Sequence, residues 1–180
     1  MDSLSRRLFV AGAAGALWMP RAKSASVSLP KPVKLVLIGG KGHVGEITGM
    51  LPKLPDVTLA AWWEPDAADR KGLLRNPAVQ KAKEYTDYRK MLDEVKPDVV
   101  SVCTSNGERW EHILAAIERK IHFIAEKPFA TEWETYHRID DALKANPSVR
   151  FSTLLPMRFS APYLAVKRGV ESGAIGEVAQ

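Results

Sequence analysis

The chain has 180 residues, 46% hydrophobic and 26% charged, which are the proportions of an ordinary soluble globular protein with one sizeable core. Its net charge is +5, but Arg6, Arg7, Arg21 and Lys23 against Asp2 place +3 of that in residues 1–26, leaving +2 with both signs interspersed. That distribution, with no Lys/Arg stripe among aromatics, argues against nucleic-acid binding, and a single cysteine, Cys103, excludes an intrachain disulfide.

Ser5-Arg6-Arg7-Leu8-Phe9-Val10 opens a short apolar stretch, rich in Ala and Gly, that reaches Met19 before Pro20. About a dozen apolar residues cannot cross a hydrocarbon core that needs about 20, so no stable membrane span is expected. The arginine pair, the apolar stretch and the small residues around Ser24 and Ser26 resemble a twin-arginine export signal over residues 1–26, with basic Lys23 near the cleavage region. That resemblance implies a folded protein sent to the periplasm or another extracytoplasmic space. Residues 27–32, with Pro30 and Pro32, read as a stiff, extended linker.

From Val33 onward apolar runs alternate with amphipathic ones, the pattern of a parallel sheet covered by helices. Val33–Ile38 is a strand, His43–Leu51 a short helix ended by Pro52, and Val57–Trp63 a second strand. Asp66–Leu74 reads as a helix, Asn76-Pro77 as a turn, and Val79–Tyr85 as a region holding a short strand. Asp87–Val95 reads as a helix closed by Lys96-Pro97, Asp98–Cys103 as a buried strand, and Glu108–Arg119 as an amphipathic helix. Ile121–Ala125 is the next strand. Thr131, with Glu134 three residues on, predicts a capping box for a helix to Ala145. Val149–Leu155 and Ala161–Ser172 read as a last strand and helix. The expected class is α/β, a Rossmann-type doubly wound parallel sheet over residues 33–156.

The first strand runs into Gly39-Gly40-Lys41-Gly42-His43-Val44-Gly45, where Gly40, Gly42 and Gly45 stand at G-x-G-x-x-G spacing. In such a loop the first glycine permits a tight turn, the second admits a pyrophosphate to bare backbone, and the third allows close helix–strand packing. His43 and Val44 join the three glycines as candidate cofactor contacts. Glu64 ends the second strand 19 residues after Gly45, close to the separation of about 20 at which a carboxylate meets the adenosine ribose. A carboxylate there repels a 2′-phosphate, so NAD is preferred over NADP. Open parallel sheets bind ligands at the carboxyl ends of their strands, which gathers Thr104 and Asn106, then Glu126 and Lys127, then Arg158. A lysine between a buried strand and a proline turn, partly desolvated beside a cofactor, exchanges protons with a hydroxyl or carbonyl. His43, His112, His122 and His137 fall at no metal-ligand spacing, and Cys103 reads as core.

The glycine fingerprint, Glu64, Asn106 and above all Glu126-Lys127-Pro128 resemble the glucose–fructose oxidoreductase and inositol dehydrogenase (Gfo/Idh/MocA) family, from Val33 to the end of the chain. Gly173-Ala174-Ile175-Gly176-Glu177-Val178 is similar to the stretch by which that family enters its second domain. The resemblance implies a dinucleotide-binding domain and a mixed α/β domain closing over a sugar-like substrate. It implies that Lys127 relays the proton of the reacting hydroxyl, that Pro128 shapes its turn, often through a cis bond, and that Arg158 lies near substrate. Four positions depart from the family pattern: Ser105 for a proline, Arg109 for a histidine, Lys120 for a glycine, and Pro162 one residue late. Residues 157–180 are expected to be a connecting helix and the start of a truncated second domain, which would leave this length inactive by itself. An NAD-dependent glycoside hydrolase and a non-catalytic dinucleotide-binding module are the competing expectations, with homo-oligomerisation left open.

Overall fold

The computed structural model describes residues 29–177; the export signal expected over residues 1–26 lies outside them. At the sheet's centre β1 (Val33–Ile38) pairs with β2 (Val57–Trp63) on one side and β4 (Val99–Val102) on the other. β3 (Lys83–Tyr85) extends the β2 edge, and β5 (His122–Ala125) and β6 (Phe151–Thr153) extend the β4 edge, every pair parallel. The order β3-β2-β1-β4-β5-β6 reverses between β1 and β4. This is the doubly wound Rossmann-type arrangement, and its crevice opens at the carboxyl ends of β1 and β4.

Two apolar layers follow from the period of two along the strands. Leu35 and Leu37 of β1 pack with Trp62, Leu73 and Val79 beneath α1 (Val44–Met50), a 3₁₀ turn (Leu51–Lys53), α2 (Ala67–Leu73) and α3 (Pro77–Lys81). Val36 and Ile38 face the other way, toward α4 (Tyr88–Val95), α5 (Arg109–Glu118) and α6 (Trp133–Ala145). There Met91, Leu92, Ile113, Ile117 and Ile139 close over Val100, Val102 and Phe123. The sheet residues that carry the site are thereby fixed from both sides.

Local chemistry sets the helix starts. Asp66 accepts from the N–H groups of Ala68 and Asp69, Asn76 from Ala78, and Asp87 from Arg89 and Lys90. Asn76-Pro77 is therefore the cap and first residue of α3 rather than a turn, and the strand expected within Val79–Tyr85 shrinks to Lys83–Tyr85. Pro52 does not stop the chain at Leu51; it sits inside the 3₁₀ turn, whose first residues need no N–H donor. The capping box also fails. Glu132, not Thr131, occupies the cap of α6 and makes no side-chain bond there, so the Thr131–Glu134 spacing is out of register by one. The strand expected over Val149–Leu155 pairs only from Phe151 to Thr153. Lys120, where glycine was expected, takes the left-handed conformation with φ 56°, and Lys96 does so with φ 47° where it closes α4.

Part of the expected linker is tied down, because the Leu29 N–H donates to Asp56 (2.9 Å) and the Lys31 ammonium to Asp98 (2.8 Å). After β6 a 3₁₀ turn (Pro156–Phe159) leads to α7 (Ala161–Glu171), which buries no residue. Phe159, Tyr163, Val166 and Ile175 are exposed on this segment. Among the described residues no helix is long and apolar enough to cross a membrane.

Candidate functional site

The glycine loop is fastened at the switch point by its own backbone. The Gly39 N–H donates to the Trp63 carbonyl at the end of β2 (2.9 Å), and the Lys41 N–H to the Cys103 carbonyl after β4 (2.8 Å). Gly39 and Gly42 have φ of +90° and +58°, a region that L side chains rarely adopt. A Cβ at Gly39 would lie 2.4 Å from the Cys103 carbonyl oxygen, so the loop touches backbone there. This corrects the expectation for Gly45, where a Cβ would meet nothing within 4 Å. The tight approach falls one residue before the fingerprint rather than at its last glycine. A Cβ on Gly42 would crowd the Glu126 carboxylate at 2.7 Å, and one on Gly40 would stand 3.0 Å from Leu73 of α2.

Two buried carboxylates close on this loop. Glu64 accepts the Gly40 N–H (2.6 Å) on one oxygen and the Asp66 N–H (2.8 Å) on the other. Glu126 accepts the N–H groups of His43 (2.6 Å) and Lys127 (3.0 Å), and one oxygen also meets the His43 ring Nδ1. Burial pushes the Glu126 carboxyl up, but the His43 and Lys127 bonds more than reverse that and hold it below its ordinary value. The loop amides at Gly40 and His43 thus already face anionic oxygens, as a diphosphate requires of its donors. The residues present fit an NAD-type dinucleotide: backbone donors on a glycine loop, with an acid at the end of β2.

Beyond β4, Thr104 is buried with its hydroxyl 3.1 Å from His112 Nδ1, while Asn106 stands exposed at the loop's tip. His112 packs against the rings of Trp63 (5.4 Å) and Tyr88 (4.5 Å), and burial pushes its imidazole down to about 4. Cys103 is fully buried, and burial pushes its thiol up to about 11, in keeping with a core role. Arg109 has a structural part that its departure from the family pattern did not reveal. Its buried guanidinium donates to the Thr104 carbonyl and to the Pro128 carbonyl (2.6 Å), bridging the loops after β4 and β5, and its Nε has no partner among the described residues. Only the backbone-pairing geometry of two separate loops exposes that link, so spacing alone carried no signal for it.

Lys127 follows β5 and is joined to Pro128 by a cis peptide bond. Its side chain is exposed, contrary to the partly desolvated lysine expected, because nothing among the described residues covers it. Arg158 lines a recess with Met157, Phe159, Tyr163, Leu164 and Lys167. Met157 and Phe159 of that recess also line an adjoining groove of about 750 Å³ that runs from His43 and Ile47 to Ile124 and Leu155. Among the described residues no group of three or more His, Cys, Asp or Glu side chains is placed to hold a metal ion.

Residues 33–153 match the Gfo/Idh/MocA oxidoreductase family, whose hallmark is an NAD-binding Rossmann fold. The chain belongs to this family. Over 95 residues it is 35% identical to the D-glucoside 3-dehydrogenase of Escherichia coli K12, spanning 52% of this chain and 26% of that protein. Over 139 residues it is 27% identical to the myo-inositol 2-dehydrogenase of Thermotoga maritima, spanning 77% of this chain and 41% of that one. The fold matches scyllo-inositol dehydrogenase from Lactobacillus casei, solved with NAD(H) and scyllo-inositol bound, with a TM-score of 0.68 and 22% identity over 81% of this chain and 43% of that one. The chain therefore spans less than half the length of these relatives.

Proposed function

We propose that this chain is the nucleotide-binding part of an exported NAD-dependent dehydrogenase that acts on a hydroxyl of a sugar, polyol or cyclitol. The observation that carries the reading is the meeting of the glycine loop, Glu64 and Glu126-Lys127-Pro128 at one switch point, in a family member whose relatives oxidise glucosides and inositols. Glu64 receives the ribose hydroxyls of the adenosine half, and the amides around Gly42 receive the diphosphate. NAD, when bound, supplies the acceptor for the hydride that leaves the substrate carbon. Glu126 fixes the loop that presents Lys127, through the bond from the Lys127 N–H (3.0 Å). Lys127 Nζ meets the reacting hydroxyl and relays its proton as the carbonyl forms. Arg109 holds the Pro128 side of that turn in place. In the longer protein that the relatives imply, a second domain covers Lys127 and the exposed apolar residues Phe159, Tyr163 and Val166, excluding water from the reacting centre.

The deciding experiment substitutes Lys127→Ala in the intact protein. Turnover is expected to fall by about 10²–10⁴ while NAD affinity stays within about threefold, the split of a group that acts on the reacting proton. Equal losses in both would remove the proton-transfer role, and hydrolysis of a glycoside without net NADH would replace dehydrogenation by the hydrolase reading. Export rests on Arg6-Arg7 and the short apolar stretch that follows. Changing both arginines to lysine should leave the protein in the cytoplasm; unchanged delivery across the membrane would remove the twin-arginine assignment.

A further inference from the structure

The second residue of the fingerprint, Lys41, carries a charge that the proposed function leaves unused. Lys41 lies between Gly40, whose N–H is bonded to Glu64, and Gly42. Its side chain, still half-exposed to solvent, folds back so that the ammonium pairs with Asp69, in the first turn of α2. Asp66, which caps α2, and Glu64, which ends β2, complete the set of carboxylates around it. The bond that Lys41 donates to Asp69, reinforced by the charges of Asp69, Asp66 and Glu64, outweighs desolvation and holds Lys41 protonated above its ordinary range. The nearest arginine of α2, Arg70, is turned away and forked onto Glu84 of β3.

This arrangement bears on which dinucleotide the chain accepts. NAD and NADP differ at the adenosine ribose, where the second carries a dianionic 2′-phosphate in place of a hydroxyl. An ammonium beside the ribose acid would neutralise part of that charge and soften the repulsion from Glu64. Resting on the reading that Glu64 meets the ribose, we propose that Asp69 is a second specificity-determining residue: by pairing with Lys41 it withholds the loop's own cation from a 2′-phosphate. Glu64 rejects the phosphate directly, and Asp69 removes the charge that would compensate. The 2′-hydroxyl of NAD, which is neutral, is indifferent to the pair.

Calorimetric titration of the intact protein with NAD and with NADP tests this without any turnover. Asp69→Asn keeps the shape of the side chain and releases Lys41, and the NADP/NAD affinity ratio should rise about tenfold with NAD affinity within about threefold. Adding Lys41→Gln to Asp69→Asn should abolish that gain, because the freed ammonium is its source. Asp69→Ser provides the same comparison if asparagine disturbs α2, and thermal melts confirm that each variant is folded. A ratio that stays within about twofold of wild type in folded Asp69→Asn and Asp69→Ser, or a gain that survives Lys41→Gln, overturns the proposal. If the folded wild-type protein retains neither nucleotide, the dinucleotide reading itself fails and takes this one with it; retention of NAD with an unmoved ratio removes the role of Asp69 alone.

Discussion

At the residue scale, the site is governed by what is buried without water to pair it. Glu64 and Glu126 each lie nearly sealed, and each answers its burial with backbone N–H donors from the glycine loop. Arg109 is the buried cation of the same region, and burial works against its charge while Glu126 favours it. His112 shows the opposite solution, remaining neutral between Trp63, Tyr88 and Thr104. Its imidazole titrates near 6.5 in the unfolded chain and near 4 when folded. The unfolded state therefore binds the extra proton between those values, so stability is whole above pH 6.5, falls as the pH drops through the window, and levels below 4. The loss amounts to at most about 3 kcal/mol. Urea unfolding of wild type and His112→Gln at pH 7.5 and pH 4.5 measures it, and the variant's pH dependence should be flatter by that amount. A wild type no steeper than the variant contradicts the assignment. The carboxylates held low, such as Glu126 and Asp98, lose their contribution further down, as pH falls through the carboxylate range.

At the scale of elements, the strands were legible and the joints between them less so. β1, β2, β4 and β5 fall within the apolar runs because a buried parallel strand needs apolar side chains on both faces. α4 was legible up to its Lys96-Pro97 stop, and α5 from its amphipathic periodicity. Asn76-Pro77 was ambiguous, since the same pair starts turns and helices; Val79, fully buried beside Trp62, tips it to a helix. Thr131–Glu134 had the spacing of a capping box, yet the helix begins one residue later, with Glu132 at the cap. Lys120 is the clearest mismatch between residue and backbone. It follows α5 in the left-handed region, where glycine pays no Cβ penalty. Lys120→Gly should raise unfolding stability by about 0.5–1 kcal/mol, the relief of strain exceeding the added freedom of the unfolded chain. Chemical denaturation is the measurement, and a loss of stability would show that the lysine is held by contacts that outweigh its backbone cost.

At the scale of the whole molecule, six parallel strands bring residues from distant parts of the sequence to one crevice. His43 and Glu126 are 83 residues apart and share a bond; Gly40 and Glu64 are 24 apart and do the same. A ligand that binds across this crevice should stabilise the fold it completes. NAD at about 100 times its dissociation constant should add about 2.7 kcal/mol, a rise in melting temperature of a few degrees. A melt of the intact protein that does not move with NAD, while remaining cooperative, would argue that the loop holds no dinucleotide.

The sequence by itself determined the class of fold, the position of the glycine loop, the acid at the end of β2 and the Glu-Lys-Pro turn, because these depend on short-range pattern and on backbone freedom at fixed positions. Only the tertiary structure decided that Gly39 rather than Gly45 makes the close approach, that Arg109 joins two loops, and that Lys41 is paired with Asp69. Each of these depends on which residues meet across the sheet, and a linear pattern does not encode the distance between segments that fold side by side.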